Sequence, residues 1–344
     1  MLNAELMLKA VVATVLVATV TAAGQQFPVG TIDFYGLGDL RQQDARRALE
    51  VKEGDVVSFE GERPGFIAAS ERGLAALPGV RAGHVHVVCC EAGKVTVYVG
   101  VERKGDQSFV FLPAPKGSVR LPADVVQAGA AFDDAMTAAV GRGDATEDDS
   151  QGHALFHDPA ARAVQERFVG FAARDLALLR RVLRESSDAG HRALAAQVIA
   201  YTARKDDVID DLARAMRDPS EDVRNNAMRA LGVFAAAEPA VRPKRAIPID
   251  GFVGLLNSPV WTDRNKASLA LLRLTESRDP ALLARLRREA LASLVDMARW
   301  KSVGHAAPGA TILGRMAGLS EEKIAAATET LEGRETIVAA VMAR

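Results

Sequence analysis

The stretch Val223-Arg224-Asn225-Asn226-Ala227-Met228-Arg229-Ala230-Leu231 sets two arginines and two asparagines in a chain otherwise rich in alanine and leucine. Wound at 3.6 residues per turn, Val223, Ala227, Ala230, Leu231 and Phe234 fall on one apolar stripe. Arg224 lies beside that stripe, and Asn225 and Arg229, four apart, share the opposite polar face. Two other segments align with this one without gaps, one starting at His191 and one at Asp263. Their arginines, Arg192, Arg224 and Arg264, stand at intervals of 32 and 40 residues. Each is followed three residues on by an alanine (Ala195, Ala227, Ala267). Each is preceded six residues earlier by a turn-forming residue (Ser186, Asp218, Ser258).

Self-similarity at this period means paired helices stacked as a solenoid. The longer interval places its extra residues in a loop over 236–248, which contains Arg242-Pro243-Lys244-Arg245. The unit Asp218-Pro219-Ser220-Glu221-Asp222-Val223-Arg224 resembles a HEAT repeat, in which the second helix follows an Asp-Pro-like turn and carries a Val-Arg step. The resemblance runs through about residues 160–300. A degenerate fourth unit is expected over 305–317, with the last helices as a cap. In such repeats the second helices line the concave side. That makes Gln197, Asn225, Asn226, Arg229, Asn265 and Lys266 candidates for contact with a partner protein. Arg192, Arg224 and Arg264 are expected to be structural, each binding a carboxylate or the carbonyls of the neighbouring turn.

Residues 30–104 read differently. A strand at Thr31–Gly36 precedes helical patterns at 39–51 and 64–77, stopped by Gly54-Asp55 and Pro78-Gly79. A hairpin follows, 84–90 and 95–102, with Glu91-Ala92-Gly93-Lys94 as its turn. Val85, Val87 and Cys89 face the core with Val95, Val97, Val99 and Val101. The other face, with His84, His86, Thr96, Tyr98 and Glu102, is expected to be wet. This β-α-α-β-β order, with its Ile-x-Phe-x-Gly strand and Leu-Pro-Gly-Val before the hairpin, resembles the polypeptide-transport-associated (POTRA) domain. The resemblance implies a module outside the cytoplasmic membrane that binds proteins by adding a strand to its sheet edge.

The first residues carry an address. Ala10–Ala23 is an apolar run shorter than the roughly 20 residues that span a bilayer, and it ends in small residues before Gly24-Gln25-Gln26. This is the layout of a signal peptide over 1–23, cleaner still if translation starts at Met7. The protein is therefore expected to be periplasmic or secreted, touching a membrane only if the segment stays uncut. A formal charge of -1 and 5% aromatic residues give no reason to expect nucleic acid. The two cysteines, Cys89 and Cys90, are neighbours that an extended strand points to opposite faces. Cys89 is expected buried and Cys90 near the surface, with no disulfide framework.

The organisation expected is thus a signal peptide (1–23), an α+β POTRA-like module (30–104), a connector helix with an acidic linker (105–157), and an all-α HEAT-like solenoid (158–344). Asp158-Pro159 is the expected start of the first solenoid helix. No nucleotide, phosphate-loop or nucleophile-elbow motif occurs, so no catalytic, cofactor or metal residues are assigned. The function expected is a non-enzymatic interaction scaffold. The competing reading, a lyase-like or metal-dependent enzyme, would use His153 and His157 in the loop Glu147–Pro159, four apart as metal ligands on a helix are. Gly152 and the polar run around it favour a loop instead.

Overall fold

A computed structural model describes residues 26–58, 64–106 and 109–343. The signal peptide expected over 1–23 lies outside the described residues. In chain order the elements are β1 (Gln26–Tyr35), α1 (Gln42–Arg47), β2 (Val56–Ser58), α2 (Gly65–Ala75), β3 (Val80–Glu91) and β4 (Lys94–Arg103). There follow α3 (Ala123–Gly141), the short strands β5 (Glu147–Asp148) and β6 (Leu155–Phe156), α4 (Pro159–Glu185), α5 (Ala189–Ile199), α6 (Lys205–Ala215) and α7 (Glu221–Ala236). The chain closes with α8 (Asp250–Leu255), α9 (Trp261–Leu274), α10 (Pro280–Ala298), α11 (Val303–Met316), α12 (Glu321–Thr328) and α13 (Leu331–Met342). A strand-containing N-terminal part followed by a run of paired helices is the fold class read from the sequence. Among the described residues, no helix is long and apolar enough to cross a membrane.

Packing groups these elements into two compact units: the described residues up to 109, with 256–265 and 278–343, form one, and residues 110–255 and 266–277 the other. The division by secondary structure at 104 and 158 is therefore not the division by packing. Helix α9 gives its first turn to one unit and the remainder to the other.

In the first unit the strands lie in the order β2-β1-β4-β3, with β1 and β4 parallel and the other pairs antiparallel. β1 begins earlier than its sequence pattern indicated. β2, three residues long, was not visible in the sequence. The hairpin turn is tighter than expected: Glu91 pairs with Lys94, leaving Ala92 (φ 50°) and Gly93 (φ 75°) as a two-residue turn. Positive φ at both positions matches the right-handed twist of the strands. One face of the sheet packs Val29, Ile32, Val85, Val97 and Val99 against Ile67 and Leu74 of α2, with Val87 and Cys89 at the margin.

The other face corrects the sequence reading. Thr96 and Tyr98 are buried there, and His84, His86 and Glu102 are half-buried. Tyr98 stacks on Trp261 (4.9 Å between ring centres) and meets Trp300 edge-on (5.0 Å). Its hydroxyl is 2.7 Å from Nδ1 of His305. The Tyr35 hydroxyl donates to the Pro259 carbonyl (2.8 Å). Asp33 accepts the Lys301 N–H (2.8 Å), and burial holds its carboxyl above the usual range despite that bond. The polar alternation is real, but Tyr98 meets α9 and α11, Tyr35 the turn before α9, and Asp33 the segment between α10 and α11.

A second correction concerns the cysteines. Cys89 and Cys90 are joined by a disulfide across a cis peptide bond, their Cα atoms 3.1 Å apart. The extended-strand argument fails because strand pairing is interrupted between Val88 and Glu91. Cys89 is half-buried and Cys90 exposed.

In the second unit, Asp158 caps α4 by accepting from the N–H groups of Ala160 and Ala161 (both 3.0 Å), with Pro159 at the first turn. α5 packs on α4, α7 on both α6 and α5. Second helices of successive repeats thus lie side by side, and what one presents is continued by the next.

Candidate protein-interaction site

The frame of the site is the arginine ladder. Arg192 stands four residues after the N-cap Asp188, and Arg224 four after the N-cap Ser220. Helical side chains lean toward the N-terminus, so a guanidinium here reaches over the first turn to the carbonyl two residues before the cap. Arg192 Nη1 donates to Ser186 O (2.9 Å), Arg224 Nη1 to Asp218 O (2.9 Å) and Arg264 Nε to Ser258 O (2.6 Å). Each also ties to a second element. Arg192 grips the Asp218 carboxylate through Nε and Nη2, both at 2.8 Å. Arg224 lies over the Phe111 ring (4.3 Å) and Arg264 over that of Tyr35 (4.5 Å).

The ladder has a fourth member that sequence spacing missed. Arg334, four residues after the N-cap Thr330, donates from Nη1 to Thr328 O (2.9 Å). Its other nitrogens reach Ala298 O (2.7 Å) and Trp300 O (2.9 Å). The intervening unit, whose helix α11 begins near the expected position, has Ala306 at the ladder site, four residues after the cap Ser302. The carbonyl that an arginine at 306 would take is that of Trp300, and Arg334 takes it. The signal was legible only as Thr328 six residues before Arg334, hidden by the skipped unit.

The polar candidates divide. Gln197, Asn225 and Asn226 are half-buried. Asn226 donates to Ala193 O (2.9 Å), fastening α7 to α5, and Asn225 donates to the Asn226 side chain (3.0 Å). Asn265 and Lys266 are only 2% and 7% exposed. Their assignment to an open contact face is corrected: α9 is covered where they lie. Arg229 is 27% exposed in its side chain and pairs with Glu147, which is 5% exposed.

Glu147 belongs to the acidic linker, which folds back as the β5–β6 hairpin with Glu147 paired to Phe156 and Asp148 to Leu155. Burial pushes the Glu147 carboxyl up, and Arg229 opposes that shift. Burial, with Arg229 adding to it, brings the Lys266 ammonium down to about 8. Tyr201 donates to Ala154 O (2.8 Å), and burial raises its phenol. Gly152 turns the chain at φ 70°. His153 and His157 stand on either side of β6 in this loop. His153 is half-buried, 5.1 Å from the Tyr201 ring and lowered in pKa by burial, while His157 is exposed. Among the described residues no group of three or more His, Cys, Asp or Glu side chains is placed to hold a metal ion.

A cleft of about 570 Å³ opens between α1 and α2 and is lined by Leu40, Asp44, Arg47, Gly73, Leu77 and Pro78.

Residues 176–271 match the family model of HEAT repeats. No curated protein matches the chain. Among solved structures, the fold is similar to a designed armadillo repeat protein, at 15% identity and a TM-score of 0.35, over 56% of this chain and 98% of that one. The family match covers the ladder residues Arg192, Arg224 and Arg264 and the helices that carry them. Residues 176–271 are similar to HEAT repeats, and the chain is a helical-repeat protein with a strand-containing N-terminal part.

Proposed function

We propose that this chain is a non-enzymatic scaffold that holds a partner protein on the second-helix face of its HEAT repeats, outside the cytoplasm. HEAT repeats point to protein interaction in general. The observation that carries the finer reading is a division of labour on α5 and α7. Arg192 and Arg224 are consumed by the frame, while Gln197 and Asn225 on the same helices stay partly open to solvent. A rigid, neighbour-locked frame presenting amide side chains suits recognition of a protein surface. The extracytoplasmic location rests on the segment Ala10–Ala23.

The sheet offers a second, smaller contact. β3 is an outer strand, and strand addition there is the mode that the POTRA-like pattern implies.

The test is site-specific photo-cross-linking in the native organism, with the probe at Gln197, at Asn225, and at Arg181 on α4 as control. One partner captured from 197 and 225 but not from 181 is the expected result. No adduct, or the same adducts from all three positions, defeats the reading. N-terminal sequencing of the mature chain tests export, with Gly24 expected as the first residue.

A further inference from the structure

The second-helix face is partly occupied by the chain itself. Two-residue strands do not make an independently stable hairpin, so β5–β6 holds its shape by docking. Its apolar end is anchored by Phe156, whose ring meets Phe132 at 5.9 Å and whose N–H donates to Gln165 (2.6 Å). Its acidic end is held by charge. Glu147 pairs with Arg229 of α7 and lies within electrostatic reach of Lys266 on α9. Asp149 feels Arg229 and Arg273, and its buried Oδ1 has no hydrogen-bond partner. Two carboxylates are therefore within electrostatic reach of three cations on α7 and α9, of which Arg229 is in contact with Glu147 and Arg273 also meets Glu276 at 3.5 Å.

Resting on the scaffold reading above, we propose that this acidic hairpin is a built-in competitor. Glu147 and Asp149 occupy the place on α7 and α9 that an extended acidic segment of the partner protein takes, and the hairpin tip leaves when that segment binds. Exchange of one acidic segment for another keeps Arg229 and Lys266 compensated throughout, which buried charges require. Charge complementarity also names the occupant: an acidic peptide fits, whereas a basic one would add to three cations already close together.

The probe is a fluorescein-labelled peptide with the sequence of residues 144–157, titrated into the full-length chain and followed by anisotropy. Glu147→Gln with Asp149→Asn weakens the internal tip, and the peptide should then bind at least tenfold tighter than to the unaltered chain. A peptide carrying the same Gln and Asn changes should not bind, and Arg229→Met added to the double variant should abolish binding. Gly152→Val gives a second route that leaves the cations and both carboxylates in place. Valine disfavours the φ of 70° held at this position, and its Cβ would meet Lys205 Cε at 2.6 Å, so the tip is driven off its seat. Hydrogen exchange of residues 147–154 reports whether the tip has left. Peptide binding by either loosened form, dependent on Arg229, supports the proposal. A tip that leaves without peptide binding overturns it, and so does a tip that stays fully protected in both variants. Because no natural partner is used, failure here is separable from failure of the cross-linking test, which does not touch the hairpin.

Discussion

Arg192 holds the Asp218 carboxylate with two nitrogens at 2.8 Å, and the carbonyl of that same aspartate accepts from Arg224. One turn residue therefore joins the arginine of the preceding repeat to the arginine of its own. Bidentate pairing fixes direction as well as distance, so the geometry of each repeat is passed to the next through Asp218.

Breaking that link should be costly. Arg192 is 2% exposed, and removing one partner of a buried ion pair costs about 3–5 kcal/mol because the other charge is left uncompensated. Arg192→Ala and Asp218→Ala should each lower stability by that order. The double variant should cost clearly less than the two single losses together. Urea unfolding, with hydrogen exchange in α5 and α7 to localise the loss, measures the cycle.

Lys266 makes stability depend on pH. Its pKa falls from 10.5 unfolded to about 8 folded. Between those values the unfolded chain binds more protons, so stability rises with pH through this window. Below about pH 8 the full penalty of burying the ammonium applies, on the order of 3 kcal/mol. Lys266→Met should therefore raise Tm at pH 7, with the gain shrinking toward pH 10. A constant difference across that range would show that charge is not the cause.

Gly100 is pinned between two groups. A Cβ there would press into the Pro259 carbonyl oxygen and lie 2.7 Å from the Tyr35 ring. Overpacking of this kind costs about 1–3 kcal/mol, and backbone cannot rotate away as a side chain could. Gly100→Ala should fall at the upper end of that range. Fluorescence of Trp261 and Trp300, which line the same face of the sheet, should report the disturbance before global unfolding.

The outer strand β3 is blunted at one point. The Val85 N–H, directed away from β4, donates to Glu71 Oε1 at 3.0 Å. An uncovered edge donor invites pairing with another chain. Glu71→Ala should increase self-association in sedimentation velocity, while Glu71→Gln, which keeps an acceptor oxygen, should not.

How much of this was legible follows from how local each cause is. Asp158-Pro159 announced its helix because capping needs only neighbours in sequence, and Ser186, Asp218 and Ser258 announced their turns for the same reason. The arginine ladder was legible as a repeat, and its chemistry followed from side-chain direction. Tyr98 was misplaced because alternation shows which residues share a face, not whether distant helices cover it. Cys89 and Cys90 were misread because strand alternation presumes unbroken pairing, which stops between Val88 and Glu91. Lys266 and Asn265 looked like surface residues by composition, and only the packing of α9 shows that they are not. Glu147 looked like solvated linker, since nothing in Glu-Asp-Asp-Ser reveals a fold back onto Arg229.

The split of α9 between the two units has a consequence for folding. Every part of the second unit lies within residues 110–277, so it can close without the residues that follow. The first unit cannot. Tyr35 and Tyr98 come early in the sequence, yet Trp300 and His305, which cover them, come much later, 207 residues separating Tyr98 from His305. A chain folding from its N-terminal side must therefore carry a sheet with one bare aromatic face until those residues join it, a state open to aggregation. A chaperone that shields that face would therefore bear on the yield of this protein, whatever the stability of its finished fold.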